Sequence, residues 1–133
     1  MARVLHKASS DSTTDMKSIL IVDDDDLLRE MLGEILRMEG YEVSEASDGK
    51  SALKLAKSKT FGVVTLDVAL QEEDGRELVD PIRELQPKAK IFLLTGMDDP
   101  ELKNKKKYHV DGHFSKALPM EKLLAKIGSG VVP

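Results

Sequence analysis

Short apolar runs recur along this chain, each closed by a polar residue and each followed by a segment of helical period. That alternation limits the fold more than any other feature. The clearest run is Phe61-Gly62-Val63-Val64-Thr65-Leu66, which ends in Asp67. Its length and β-branched content, with helix-like segments on both sides, read as a strand buried on both faces. Ser18-Ile19-Leu20-Ile21-Val22 is a second such run, stopped by Asp23-Asp24-Asp25-Asp26, and Lys90-Ile91-Phe92-Leu93-Leu94-Thr95 is another. Tyr41 and Val43 begin a further strand, with Glu45 near its end, and Val110 to Ser115 make a short last one. Strand and helix thus alternate five times, the pattern of a parallel sheet with helices on both faces and right-handed crossovers.

The segments between the runs carry helix signals. Leu27, Leu28, Met31, Leu32, Ile35 and Leu36 stand at helical spacing and are expected on the buried side, with Gly40 ending the helix. Ser47-Asp48-Gly49 turns into a helix that buries Ala52, Leu53 and Ala56. Asp74 and Glu77 have the spacing of a capping box, opening a helix with Leu78, Val79, Ile82 and Leu85 on its apolar side. Pro81 lies inside that helix and should kink it. Asp98 to Tyr108 is the weakest helical segment, strongly basic through Lys103-Asn104-Lys105-Lys106-Lys107 and with hardly an apolar face. Pro119 and Gly128 bracket a last helix over Met120 to Ile127.

At 133 residues the chain is expected to hold one domain, over residues 17–128. Residues 1–16, polar and without period around Ser9 to Asp15, read as a disordered arm, and 129–133 as a tail or the start of a linker. Aromatics are only 4% of the residues, so the core must be aliphatic. The absence of cysteine excludes thiol catalysis and sulfur-ligated zinc. A net charge of -4 argues against direct nucleic-acid binding by the whole domain. No apolar run approaches the ~20 residues of a membrane span, and no signal peptide is visible, so a cytoplasmic location and no membrane partner are expected.

The runs of a parallel sheet point one way, so their closing residues meet on one edge, where ligands bind in open α/β sheets. Those residues are Asp23 and Asp24, Asp67, Thr95 and Lys116. The Asp23, Asp24 and Asp67 carboxylates repel one another unless a cation joins them. A hard, octahedral, oxygen-ligated ion, Mg²⁺, suits one or two carboxylates with water and a phosphoryl oxygen. Lys116 adds a cation, Thr95 a hydroxyl donor, and Gly96 open space. Together they suit phosphoryl transfer, with Asp67 placed as the nucleophile.

Ile19 to Asp25, Val64-Thr65-Leu66-Asp67, Asp74-Gly75, Leu93-Leu94-Thr95-Gly96 and Gly112-His113-Phe114-Ser115-Lys116 together resemble the CheY-like receiver domain of two-component response regulators. The resemblance implies an α/β fold with a five-stranded parallel sheet in the flavodoxin-like order 2-1-3-4-5. It implies Asp67 as the phosphoacceptor, taking a phosphoryl group from a sensor histidine kinase or phosphotransfer protein. Asp24 would bind Mg²⁺ directly, Asp23 chiefly through water, and Asp67 and the Ala69 backbone carbonyl would complete the protein ligands. Thr95 and Lys116 would hold phosphoryl oxygens, and Thr95 with His113 would form the switch that alters binding of a downstream protein or effector domain. Such a domain is a signalling module, catalysing only its own phosphorylation and slow dephosphorylation. A homodimer through its fourth and fifth helices stays open.

The chain departs from the family pattern in three places. Gln71-Glu72-Glu73 stands where a loop proline is usual, Ala117 follows Lys116 where a cis proline is usual, and the fourth helical segment is short and basic. Because a cis non-proline bond costs about 2.5–4 kcal/mol, a trans bond is expected at Lys116-Ala117. Asp25 and Asp26 are read as helix caps, Glu72 and Glu73 as loop solubilisers, and the lysine run as a solvated face. Two other readings compete. One is a degenerate receiver that binds partners without phosphorylation. The other is an Asp-based Mg²⁺ phosphohydrolase, disfavoured by Leu27 and by the short chain.

Overall fold

The computed structural model describes residues 17–96, 109–116 and 118–131, with only the backbone described for the last three. The expected N-terminal arm, the basic helical segment and the Lys116-Ala117 bond fall outside these residues. The ordered elements are β1 (Ser18–Val22), α1 (Asp26–Met38), β2 (Glu42–Ala46), α2 (Gly49–Ser58) and β3 (Val63–Asp67). A small hairpin of β4 (Ala69–Leu70) and β5 (Glu73–Asp74) follows, then a 3-10 turn (Gly75–Leu78) and α3 (Val79–Leu85). The chain closes with β6 (Lys90–Thr95), β7 (Gly112–Ser115) and α4 (Met120–Val131). The main sheet has five strands, all parallel, in the order β2-β1-β3-β6-β7. Apart from the two hairpin strands, this is the expected flavodoxin-like order.

The apolar runs are buried on both faces because alternate residues enter two separate cores. Leu20, Val22, Val64, Leu66, Ile91 and Leu93 pack with Ala52 of α2 and Val79 and Ile82 of α3. Ile19, Ile21, Val63, Phe92, Leu94 and Phe114 pack with Leu32 and Leu36 of α1 and Leu123 and Ile127 of α4. Among the buried polar residues, Gln86 links elements across the core. Gln86 is buried, and its side chain accepts from the Phe61 N–H and donates to the Ala56 and Lys59 carbonyls, tying α2 to the start of the β3 run.

The helix starts follow from local chemistry. The Asp25 carboxylate accepts from the Leu28 N–H at 3.1 Å, and that of Asp48 from the Ser51 N–H at 2.8 Å, each satisfying a first-turn donor. Pro119 precedes α4, and its carbonyl accepts from Lys122 and Leu123.

Three expectations are corrected. Leu27 and Met31 do not lie on the buried side of α1 but are 76% and 46% exposed. Nine positions at about 100° each place Leu27 half a turn from Leu36, the residue that faces the sheet. Pro81 does not kink a long helix. The segment from Gly75 is a 3-10 turn capped by Asp74, and α3 begins only at Val79, so Pro81 stands in the first turn, where a missing N–H leaves no bond broken. Gly128 does not end the last helix, which continues to Val131. Glycine lowers helix propensity by about 1 kcal/mol without enforcing a stop, and Leu123 and Ile127 already anchor α4 on the sheet.

Candidate functional site

The carboxyl-end edge of the sheet gathers the predicted residues because the strands run in step. Register pairs Val22 with Leu66, Asp67 with Leu94, and Thr95 with Ser115, so Asp23, Asp67, Thr95 and Lys116 end on one level. Each of Asp23, Asp24 and Asp67 offers a carboxylate oxygen, and these oxygens lie within 4.8 Å of one another. Asp23 and Asp67 are buried, while Asp24 is half-buried. The Lys116 ammonium bridges the two buried carboxylates, 2.8 Å from Asp67 Oδ2 and 3.1 Å from Asp23 Oδ2.

Backbone donors hold the other carboxylate oxygens. The Ala69 N–H donates to Asp67 Oδ1 at 3.1 Å, and the Asp25 N–H to Asp23 Oδ1 at 2.9 Å. Burial pushes the Asp67 carboxyl above the ordinary carboxylate range, against the pull of Lys116, and the Asp23 charge adds to the rise. Burial works the other way on Lys116, but its bonds and attraction to Asp67 and Asp23 outweigh that and hold its pKa above the ordinary lysine value. The site is an electrostatic compromise: a buried anionic pair with one cation and the half-buried Asp24 beside it.

Gly75 explains why a glycine follows Asp74. A Cβ there would run into the backbone carbonyl of Asp67, and the Gly75 N–H donates to the Val68 carbonyl at 2.8 Å. Only glycine lets the 3-10 turn pass so close to the end of β3.

Thr95 is half-buried at the end of β6, and its carbonyl accepts from the Lys116 N–H at 2.7 Å. A Cβ on Gly96 would meet none of the described atoms, which fits open space beside Thr95. His113 lies in the middle of β7, half-buried, opposite Leu93 in register, its Nδ1 buried without a hydrogen-bond partner among the described residues. Asp25 caps α1 and Asp26 pairs with Arg29 at 2.8 Å, which accounts for both as helix-start residues.

Two supporting residues went unrecognised in the sequence. Arg29 donates to the Asp23 carbonyl at 2.7 Å and to Glu45 at 3.2 Å, fixing the chain where it enters the acidic cluster. The Asp26–Arg29 spacing signals a helical ion pair but not that bond to the chain just past β1. Glu73, read as a solubiliser, accepts from the Gly49 N–H at 2.8 Å, a contact between residues 24 apart that no local signal announces. Between these elements lies an open hollow of about 450 Å³ lined by Asp24, Asp26, Asp48, Leu70, Glu72 and Glu73, among others.

The family model for response regulator receiver domains matches residues 19–128. The chain therefore belongs to the response regulator receiver domains. Receivers are the phosphorylation-responsive modules of two-component signalling. This receiver is 35% identical over 111 residues to a cyclic di-GMP phosphodiesterase of Thermotoga maritima, covering 83% of the chain but only 30% of that protein's length. It is 37% identical over 82 residues to the chemotaxis protein CheY of the same organism, 61% of this chain and 68% of that one. Among solved structures it resembles a response regulator from Burkholderia pseudomallei, described with a phosphorylated aspartic acid, a calcium ion and citrate. The TM-score is 0.79 at 30% identity, over 86% of this chain and 68% of that one. No helix among the described residues is long and apolar enough to cross a membrane.

Proposed function

We propose that this receiver takes a phosphoryl group onto Asp67 from a phosphohistidine of a sensor kinase or phosphotransfer protein. The supporting observation is the joining of Asp23, Asp24 and Asp67 within 4.8 Å, with Lys116 on two of them, at the end of the buried β3. An Asp67 carboxylate oxygen attacks phosphorus, the phosphorus–nitrogen bond to the donor imidazole breaks with its electron pair going to nitrogen, and that nitrogen takes up a proton from solvent. The product is an acyl phosphate on Asp67. Lys116, now bonded to Asp67 Oδ2, is within reach of a phosphoryl oxygen placed there, and the Thr95 hydroxyl serves another.

The oxygen-only donor set suits a hard divalent cation such as Mg²⁺. Asp24, Asp67 and the Ala69 carbonyl would hold it, with Asp23 acting chiefly through water. When bound, such an ion neutralises charge on the phosphoryl oxygens in the transition state. Thr95 and His113 carry the switch in this reading. The hydroxyl moves toward the phosphoryl group, and the half-buried imidazole turns inward as space opens, which biases binding of a downstream protein or effector domain. Residues 17–128 form the receiver unit, acting in the cytoplasm, and catalysis extends only to its own phosphorylation and slow dephosphorylation.

Incubation with Mg²⁺ and acetyl phosphate tests the reading. One base-labile phosphoryl group per chain is expected, lost in Asp67→Ala. Equal labelling of Asp67→Ala would refute it, and repeated release of phosphate from excess donor would indicate a phosphohydrolase instead.

A further inference from the structure

Glu73 lies in one of the stretches where this chain departs from the family pattern, yet it makes a specific bond. Its Oε2 accepts from the Gly49 N–H, the first helical residue of α2, at 2.8 Å. A carboxylate at a helix N-terminus is favoured both by the unpaired N–H groups and by the helix dipole. Gly49 is shaped for this contact: a Cβ there would run into Glu73 Oε1 and would approach Leu78 Cδ2 to 2.8 Å. In the hairpin, Glu73 stands opposite Leu70, and Asp74 opposite Ala69. Leu70 is buried in the α2–α3 core, and the Ala69 N–H donates to Asp67 Oδ1. Glu73 thus ties to α2 the same two-strand unit that supplies a backbone donor to the buried carboxylate of β3.

We propose that Glu73 is a positioning residue for Asp67, acting by clamping the β4–β5 hairpin onto the first turn of α2 and thereby holding the Ala69 N–H on the carboxylate. The clamp stands in for a stiff proline loop with a hydrogen bond between residues far apart in sequence. Its bearing on phosphoryl uptake rests on the reading of Asp67 as phosphoacceptor. Glu73 is itself on the surface, so solvent reduces the anchor to the net worth of an ordinary hydrogen bond. Its loss should lower the ratio of aligned to open hairpin about fivefold.

Amide hydrogen exchange in the protein without phosphodonor reads the clamp, and the rate of uptake from acetyl phosphate with Mg²⁺ reads its consequence. Glu73→Ala should speed exchange at Gly49 and Ala69 about fivefold, leave the amides of β1 and β6 unchanged, and slow uptake by a smaller factor, because exchange follows the open fraction and uptake the aligned one. Glu73→Gln keeps an acceptor oxygen and should restore both. Gly49→Ala, which expels the carboxylate from the other side, should resemble Glu73→Ala, and the double variant should be no worse than the poorer single one. Unchanged Ala69 exchange in Glu73→Ala, a Glu73→Gln variant as impaired as the alanine, or independent effects in the double variant would each overturn the proposal. A wild-type protein that takes up no phosphoryl group would sink the phosphoacceptor reading, whereas the exchange measurements decide the clamp by themselves.

Discussion

Replacing Lys116 with methionine removes the cation from two buried carboxylates while keeping most of the side chain's bulk. The side chains of Asp23 and Asp67 are 5% and 3% exposed, against 21% for Lys116. Breaking a buried ion pair by deleting one partner costs about 3–5 kcal/mol, because the remaining charge is left without solvent or partner. Here Asp24 is half-buried and the acidic hollow is open beside it, so solvent brings the cost to or just below the bottom of that range, about 2–3 kcal/mol. For a domain of this size each kcal/mol moves the midpoint by roughly 4 °C, so Lys116→Met should melt about 10 °C below wild type at pH 7 in chelator.

The pH dependence carries a definite sign. Losing the lysine removes the attraction that opposes burial at Asp67 and so raises that carboxyl's folded-state pKa further; the variant then binds protons more readily folded than unfolded, and its deficit should shrink as the pH falls from 7 toward 5. In the wild type the raised Lys116 pKa contributes stability that is fully present below the unfolded lysine value and lost as the pH rises through the folded one. Mg²⁺ should narrow the gap between variant and wild type by supplying the missing positive charge. Calorimetric or circular-dichroism melts with and without Mg²⁺ measure all of this. A Lys116→Met variant melting within about 2 °C of wild type in chelator would show that the bridge does not compensate those charges, and the electrostatic account of the site would fail.

Two further substitutions probe the same edge. Asp67→Asn should raise the melting temperature in metal-free buffer at neutral pH, since the buried carboxylate is held above its ordinary pKa chiefly by burial. Asp67's contribution to stability is present below the unfolded value of ~3.9 and lost as pH rises through the folded one, so the gain should fade on acidification; a lower melting temperature would contradict it. Gly75→Ala drives a methyl group into the Asp67 carbonyl, so it should cost about 1–3 kcal/mol and slow phosphoryl uptake. Unchanged melting and uptake would mean that the turn is looser than the close approach implies.

How much was legible from the residues alone varies with the range over which each feature is decided. Asp48 at the start of α2 and Asp25 at the start of α1 act within three positions, so their roles follow from spacing. Leu27 and Met31 were misplaced because a periodic stripe does not say how wide a strip of helix the sheet covers. Pro81 was misjudged because the capping signal at Asp74 opens a 3-10 turn, and nothing local distinguishes that from the α-helix beginning at Val79. Glu73 and Arg29 were missed as anchors because their partners, Gly49 and the Asp23 carbonyl, belong to other elements.

By itself the sequence determined the alternation of buried strands and helices and the polar residues that close each strand, because a two-residue period and a helical period are local properties. That sufficed to place Asp23, Asp24, Asp67, Thr95 and Lys116 on one edge. Only the tertiary structure decided that Lys116 bridges two buried carboxylates rather than one, that the Asp67 carboxyl is raised by burial despite that cation, and that a glutamate of the β4–β5 hairpin grips α2. Those outcomes depend on distances between elements and on exclusion of water, which are set by how the two cores pack against the sheet.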